Sequence, residues 1–193
     1  MTLTQLVHTA QYRRGAEIGV WRGSTSFALL EACPQVDQML LVDPWRYERC
    51  HFPVPPGTRL PARMPPGWYH GCMGEAITSQ QEMEEIAQEV AGRAEQYAGR
   101  CRILRMPSSQ AAATLPRHSL DFVYIDATHL FEDVLDDLRA WWRIVRPGGL
   151  VSGDDFGSEF PGVGHALRGF LAEAQEEIRV EEGGLWWIMK PCQ

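Results

Sequence analysis

Apolar residues recur along the chain in two periods, which together predict alternating strands and helices. Short apolar runs between turn residues are typical of buried parallel strands, and they predict strands at 14–20, 38–42, 102–106, 122–125 and 150–151. Apolar residues at helical spacing predict helices at 4–12, 27–33, 79–97, about 130–145 and 163–174, with a short alanine-rich helix ending near 116. Two closing strands, 177–181 and 185–190, meet at a Gly-Gly turn. The predicted fold is α/β and Rossmann-like, a mostly parallel seven-stranded sheet with helices on both faces and an antiparallel C-terminal hairpin.

The segment 121–156 reads strand, helix, strand, and acidic residues follow both strands. Asp126 follows the first strand, and Asp154 and Asp155 follow the second. Because the ligand crevice lies outside the carboxyl ends of parallel strands, we expect the three carboxylates to share one cleft. Crowded carboxylates repel one another unless a cation lies among them, and oxygen ligands suit Mg²⁺. The alternative is structural only, with Asp126 capping the next helix and Asp154 capping a turn.

The helix between these strands carries a run of acidic residues. Its apolar stripe predicts the buried side, and the pattern places the acidic face in water. That face carries Glu132, Asp133, Asp136 and Asp137. His129 stands at the entrance of the helix, three residues after Asp126, and is either a candidate base or an ordinary surface residue.

A turn containing two glycines follows the first strand. Gly19 and Gly23 allow a backbone path without Cβ obstruction, so a cofactor can lie against the main chain with its polar end facing the next helix N-terminus. Asp43 follows the second strand, where an ionised carboxylate can accept from both vicinal hydroxyls of a ribose. Asp43 could instead be a turn residue before Pro44.

Residues 44–74 differ in composition from the rest of the chain. Seven of them are proline, and aromatic and histidine side chains are interleaved. Neither the helical nor the strand period extends across the segment. A loop of this length in a compact domain is typical of a lid, and its aromatic content argues against disorder. We therefore predict a substrate lid or insertion within a single domain of residues 1–193.

Charge and cysteine usage restrict the partners and the compartment. The net charge of −7 argues against a general electrostatic attraction to nucleic acid or anionic membrane. No apolar run approaches the roughly 20 residues of a membrane span, and residues 1–14 lack the apolar core of a signal peptide. Five cysteines, an odd number without a compact framework, indicate a reducing compartment. We expect a cytoplasmic protein.

The motifs, taken in order, resemble a known family. Residues 16–26, Ala-Glu-Ile-Gly-Val-Trp-Arg-Gly-Ser-Thr-Ser, lack the Gly-x-Gly-x-x-Gly spacing of nicotinamide-binding domains. They are similar to the first motif of class I S-adenosylmethionine-dependent methyltransferases. More narrowly, residues 121–155 resemble the metal-dependent sugar O-methyltransferases of macrolide and aminocoumarin pathways. The narrower resemblance is carried by Tyr124 to His129, Asp133, Asp137, Leu138, Trp142, Arg146 to Gly149 and Gly153 to Asp155.

The resemblance implies roles for individual residues. The implied ligands of S-adenosylmethionine are Glu17, Gly19, Gly23, Ser24 and Thr25 at the methionine part, Asp43 at the ribose, Met106 and Ser108 at the adenine, and also Asp126. The implied Mg²⁺ ligands are Asp126, Asp154 and Asp155. Asp126 is also the implied base, and His129 is the second candidate.

We therefore predict a Mg²⁺-assisted O-methyltransferase that uses S-adenosylmethionine on a hydroxyl of a small molecule of the sugar or natural-product class. The expected partner is this hydroxylated acceptor, a homodimer is compatible with the resemblance, and neither nucleic acid nor membrane is expected. Only a short segment precedes the first strand, whereas the sugar enzymes carry additional N-terminal structure, so the acceptor is not inferred. One alternative is a metal-dependent hydrolase that uses the same three acids, which would leave Glu17, the glycines and Asp43 without a function. The other is a cofactor-binding protein without catalysis.

Overall fold

A computed structural model describes residues 1–47, 77, 79–97, 99–157 and 159–192. The described α-helices are α1 (Leu3–Thr9), α2 (Ser24–Ala32), α3 (Gln80–Ala94), α4 (Ser108–Ala113), α5 (Phe131–Trp142) and α6 (Pro161–Ala174). The described strands are β1 (Arg14–Ile18), β2 (Gln38–Val42), β3 (Cys101–Leu104), β4 (Leu120–Ile125), β5 (Val145–Gly153), β6 (Arg179–Val180) and β7 (Trp186–Met189). Most of the predicted lid, 44–74, lies outside the described residues.

The seven strands form one sheet in the order β3-β2-β1-β4-β5-β7-β6. β1 to β5 pair in parallel, whereas β7 is antiparallel to both β5 and β6. This confirms the predicted Rossmann-like fold with its antiparallel C-terminal hairpin. In the described part of the chain, no helix is long and apolar enough to cross a membrane.

Strand β5 is longer than the sequence pattern predicts. Pro147, Gly148 and Gly149 follow the predicted helix as a turn that would close it, but they belong to the strand. The reason is pairing with a distant residue: the Gly148 N–H donates to Lys190 O, and the Lys190 N–H donates to Gly149 O, each at 2.9 Å. Gly148 has a φ of +70°, which glycine adopts without steric cost.

Each face of the sheet is covered by its own apolar core, as alternation along a parallel strand requires. In β2, Met39 and Leu41 join the core formed with α1, α2 and α3, whereas Leu40 and Val42 join the core formed with α4, α5 and α6. All four side chains are essentially inaccessible to solvent. Helices therefore cover both faces of the sheet and leave the carboxyl ends of the parallel strands open. We call the row of these carboxyl ends the C-terminal edge of the sheet, and the row of amino ends the N-terminal edge.

Asp121 lies at the opposite, N-terminal edge of the sheet, where it binds neighbouring parts of the chain. Its carboxylate accepts hydrogen bonds from the backbone N–H groups of Arg13 and Arg14, each at 2.8 Å, and from Arg146 Nε at 2.6 Å. Burial alone would raise the pKa of Asp121, but Arg146 and the two N–H groups hold it below its ordinary value. Among the described residues, the hydrogen-bond donors to this carboxylate all hold strands together, so its role is structural.

Candidate active site

An open cavity of about 260 Å³ lies at the carboxyl ends of the parallel strands. Four of the predicted site residues line it: Gly19, Asp43, Ser108 and Asp126. The lining also includes residues to which the sequence analysis gave no role in the site, among them Trp21, Arg46, Thr128, Asp133, Asp136 and Asp137. The structure therefore brings together residues from β1, β2, α4, β4 and α5, as expected for a crevice outside the strand ends.

The glycine turn brings β1 close to the end of β4. Gly19 has a φ of +85°, and a Cβ there would stand 2.0 Å from the backbone oxygen of Asp126. A side chain would separate the two strand ends, so this position requires glycine.

Helix α2 begins at Ser24 and offers free donors to the site. Gly23 is its N-cap, with a φ of +72° and no side-chain cap. Among the described residues, the N–H groups of Ser24 and Thr25 have no hydrogen-bond acceptor. Unpaired N–H groups at a helix N-terminus bind anionic groups such as a carboxylate. The predicted contact of Gly23, Ser24 and Thr25 with the methionine part of the cofactor fits these donors and stays a prediction.

Glu17 holds the first turn of α2, which follows the glycine turn. It is 2% exposed and accepts hydrogen bonds from the N–H of Ser26, at 3.1 Å, and from the Ser26 hydroxyl. Burial raises the pKa of Glu17 to about 8, and the charges of Asp126 and Asp43 add to the effect. Because its known contacts hold the first turn of α2, a direct contact between Glu17 and the cofactor stays a prediction.

Asp43 holds the same turn from the side of β2. One oxygen accepts from the N–H groups of Val20 and Trp21, each at 3.0 Å, and the other accepts from the N–H of Trp45 at 2.7 Å. Burial raises the pKa of Asp43, although the three N–H groups oppose that rise. A carboxylate has about four acceptor positions, so roughly one remains for a ribose hydroxyl. The predicted acceptance from both hydroxyls is untested and would require one of these bonds to be shared.

A compact group of possible metal ligands lies beside the cavity. One ligand atom each from Asp126, His129 and Asp155 lies within 4.8 Å of the others. His129 Nε2 is 2.7 Å from Asp155 Oδ2 and 3.6 Å from Asp126 Oδ1. Ligands at neighbouring positions around a metal with bonds of about 2.1 Å are about 3 Å apart, so small shifts would accommodate an ion.

His129 is 6% exposed, and the Phe160 ring packs on it with a centroid distance of 4.3 Å. Burial would lower the pKa of His129, but Asp126 and Asp155 together raise it to about 9. The two carboxylates therefore favour the cationic form of the imidazole, with both ring nitrogens protonated. The sequence indicated His129 through its spacing from Asp126, but as a base rather than as part of the ligand group.

Asp154 lies next to this group but is not one of its three members. Its side chain accepts from the Tyr124 hydroxyl at 3.2 Å and from the N–H of Asp155 at 2.9 Å. Its backbone oxygen accepts from the Trp186 indole N–H at 2.9 Å. The predicted set of three carboxylate ligands stays a prediction, since the structure brings together two of them with His129.

The acidic face of α5 does not lie wholly in water, and that expectation was wrong for Asp137. Asp137 is only 9% exposed and accepts a hydrogen bond from the Ser108 hydroxyl. Burial raises its pKa to about 7, and the charges of Asp133 and Asp136 add to the effect. The cause is long-range: α4 packs on α5 and covers this part of its polar face.

Met106 does not line the first cavity. It lines a neighbouring cavity of about 500 Å³, together with Arg46, Gln80 and Arg105. Ser108 lines the first cavity, and the two cavities share Pro44, Arg46 and Pro107 in their linings, so they adjoin. The Met106 contact stays a prediction.

With this geometry in place, comparison with known proteins identifies the family. A family model described as a methyltransferase domain matches residues 16–156. The chain belongs to this methyltransferase family. The match confirms the predicted enzyme class, an S-adenosylmethionine-dependent methyltransferase of class I fold. No curated protein matches the methyltransferase significantly.

Solved structures share the fold of the methyltransferase at low sequence identity. A candidate caffeoyl-CoA O-methyltransferase from Staphylococcus aureus superposes with a TM-score of 0.64 at 12% identity, over 97% of this chain and 80% of the other. The O-methyltransferase from Bacillus cereus, in complex with SAH, gives 0.60 at 15% identity, over 97% and 79%. TomG from Streptomyces achromogenes, an O-methyltransferase of tomaymycin synthesis in complex with SAM, gives 0.59 at 18% identity, over 97% and 78%.

Proposed function

We propose that the methyltransferase transfers a methyl group from S-adenosylmethionine to a hydroxyl oxygen of a small molecule, with the help of a divalent cation. One observation carries the proposal: Asp126 lines the cavity at the glycine turn and also belongs to the ligand group with His129 and Asp155. A single carboxylate therefore adjoins both the cofactor site and the metal site, where donor and acceptor must meet. The oxygen acceptors of the structurally similar enzymes agree with this reading.

The residues of the cavity fit S-adenosylmethionine. The acidic side chains of the lining suit its sulfonium and ammonium charges. The unpaired N–H groups of Ser24 and Thr25 do not line the cavity but follow the glycine turn, and they suit its carboxylate. When bound, the cofactor supplies an electrophilic methyl group. The role of the chain is to hold the acceptor oxygen in line with it, since orientation alone supplies a large part of the rate in such transfers.

The ligand group fits a divalent cation. Two carboxylates suit Mg²⁺, whereas the imidazole of His129 is a ligand more typical of Mn²⁺, Fe²⁺ or Zn²⁺. Mg²⁺ would be held by Asp126 and Asp155, with Asp154 as a further oxygen ligand if it turns from Tyr124. A bound cation would supply Lewis-acid polarisation of the acceptor hydroxyl.

Asp126 is the proposed base. His129 Nε2 lies 2.7 Å from Asp155 Oδ2 and 3.6 Å from Asp126 Oδ1, so its part is to orient these carboxylates. Asp126 lies at the cavity wall and can take the proton of the acceptor hydroxyl.

The substitution Asp126→Asn tests the proposal. We expect kcat for methyl transfer to fall at least about 100-fold, because the base and a metal ligand are lost, while S-adenosylmethionine binding stays within a few-fold of wild type. Calorimetry with and without Mg²⁺, and methyl uptake by a panel of hydroxylated sugars, phenols and polyketides, measure the two quantities. Asp37→Asn, at an exposed aspartate near the other edge of the sheet, is the control. Full activity of Asp126→Asn would exclude Asp126 as base and ligand.

The same measurements separate the alternatives. Failure to bind S-adenosylmethionine would refute methyl transfer and cofactor storage together. Binding without methyl uptake by any acceptor, unaffected by Mg²⁺, would favour a cofactor-binding protein without catalysis. Family membership already argues against the hydrolase.

A further inference from the structure

The acidic turn, Asp154 and Asp155, has a backbone conformation that its surroundings hold in place. Asp155 has a φ of +61°, in the left-handed region that residues other than glycine rarely adopt. Its carboxylate lies 2.7 Å from His129 Nε2, within the group of candidate metal ligands. Because the backbone of the turn sets the direction of this carboxylate, the residues that hold the turn also place a metal ligand.

The C-terminal hairpin binds the acidic turn on both sides of Asp155. On one side, the Trp186 indole N–H donates to the backbone oxygen of Asp154 at 2.9 Å. On the other side, the Phe156 N–H donates to Gly184 O at 3.0 Å. Asp155 lies between these two bonds along the chain, so a change in its left-handed backbone would strain or break one of them.

Trp186 itself has little freedom to move. It is fully buried in the core formed with α5 and α6, and it pairs with Gly153 in the antiparallel register of β5 and β7. A Cβ at Gly153 would stand 2.4 Å from Cζ2 of the Trp186 ring, so the ring occupies the space where a side chain of β5 would lie. The indole N–H is therefore fixed by packing before any ion binds.

We propose that Trp186 is a positioning residue of the metal site, which holds the acidic turn so that the Asp155 carboxylate meets Asp126 and His129. Trp186 does not line the cavity, and its bond is to a backbone oxygen, so it acts only through the turn. The inference rests on the cation site of the proposed function and is independent of the acceptor. Hydrogen bonds that orient metal ligands typically change metal affinity by about 10- to 100-fold.

Calorimetric titration with Mg²⁺ alone tests the proposal in Trp186→Phe and Trp187→Phe. The first variant loses the indole N–H but keeps an aromatic ring, so we expect its Mg²⁺ affinity to fall at least about tenfold and its S-adenosylhomocysteine affinity to stay within about threefold.

Trp187→Phe is the matched control. Trp187 is the next residue of β7, is 4% exposed and packs on the opposite face of the sheet. Among the described residues, its indole gives no hydrogen bond to the acidic turn, whereas that of Trp186 does. The control should therefore lose similar packing and keep its Mg²⁺ affinity within about twofold.

The wild-type protein provides a second measurement, which does not depend on a variant folding. In N–H correlation NMR spectra, we expect the indole resonance of Trp186 to shift on addition of Mg²⁺, with the midpoint found by calorimetry. The reason is that binding of Asp155 to the ion changes the hydrogen bond to the same turn. An unshifted resonance at saturation with Mg²⁺ would overturn the proposal.

The other outcomes separate the inference from the proposed function. Equal losses of Mg²⁺ affinity in the two variants would assign the effect to packing and overturn the role of the N–H. Unchanged affinity in folded Trp186→Phe would overturn it as well, and both results would leave the cation site intact. Failure of the wild-type protein to bind Mg²⁺ would refute the cation site itself, and the inference with it.

Discussion

The two edges of the sheet each carry an aspartate that accepts hydrogen bonds from two consecutive backbone N–H groups. Asp121 at the N-terminal edge binds the N–H groups of Arg13 and Arg14, and Asp43 at the C-terminal edge binds those of Val20 and Trp21. The third partner differs: Asp121 meets the Arg146 guanidinium, whereas Asp43 meets the N–H of Trp45.

The difference in the third partner separates a structural carboxylate from one suited to a site. Arg146 neutralises the charge of Asp121 and holds its pKa low, so this carboxylate is not suited to bind a ligand. Among the described residues Asp43 forms no ion pair, burial raises its pKa, and it lines the cavity. A carboxylate that has no ion-pair partner and lines an open cavity is able to bind a ligand.

Removing Asp121 should give the largest effect on stability. We expect Asp121→Ala to lower the free energy of unfolding by about 2 to 4 kcal/mol, because two backbone N–H groups lose their acceptor and Arg146 loses its partner. Urea unfolding measures the loss, and S-adenosylhomocysteine affinity should stay within about twofold. Asp37→Ala, which removes only an exposed ion pair with Arg13, should cost less than about 1 kcal/mol. A stable Asp121→Ala variant with impaired cofactor binding would reverse the contrast between the edges.

Removing Asp43 should act mainly on the ligand. We expect Asp43→Ala to weaken S-adenosylhomocysteine binding by roughly 1.5 to 3 kcal/mol, through a lost ribose bond and a loosened glycine turn. Calorimetry measures the affinity, and unfolding measured in parallel reports the turn alone. Unchanged affinity would contradict the assignment of Asp43 to the ribose.

The pH dependence of stability should differ between the edges. The pKa of Glu17 is raised from 4.5 to about 8, so its contribution to stability is complete below about pH 4.5 and is lost as pH rises through about 8. The lowered pKa of Asp121 has the opposite sign, and its contribution is lost as pH falls below its ordinary value of 3.8. Urea unfolding should therefore show wild-type stability declining from about pH 5 to about pH 9.

Glu17→Gln isolates this smallest effect. The amide cannot ionise, so the decline with pH should become shallower, while the hydrogen bonds to Ser26 are partly kept. The remaining slope belongs to the other groups whose pKa values are raised, among them Asp137 to about 7, His129 to about 9, and Asp43 and Asp154. An identical slope in the variant would mean that Glu17 keeps the same protonation in the folded and unfolded chains.

The sequence predicted the features that depend on neighbouring residues along the chain. Strand β2 was predicted with its observed bounds, and Asp43 and Asp126 were placed at strand ends, because a short apolar run followed by an acid is a local pattern. The prediction failed where a distant element decides. The strand character of 146–149 depends on Lys190, and the burial of Asp137 depends on Ser108 of α4.

The composition of the metal group shows the same limit. Periodicity could place Asp126, Asp154 and Asp155 at one edge, but not the direction of each side chain. Asp154 turns toward Tyr124 of β4, whereas His129 turns back from the helix entrance toward Asp155. Both choices are made by packing across the sheet, which no single segment of sequence encodes.

The position of β7 affects when the enzyme can mature during its synthesis. This strand is translated after β1 to β6, yet it inserts between β5 and β6, and its Trp186 indole N–H donates to the backbone oxygen of Asp154. On the ribosome, β1 to β5 can associate first. The hydrogen bond from Trp186 to Asp154 cannot form until residues 186–189 have emerged. Catalytic competence should therefore arrive only after β7 has joined the sheet, as a late step of folding rather than gradually while β1 to β5 are being translated.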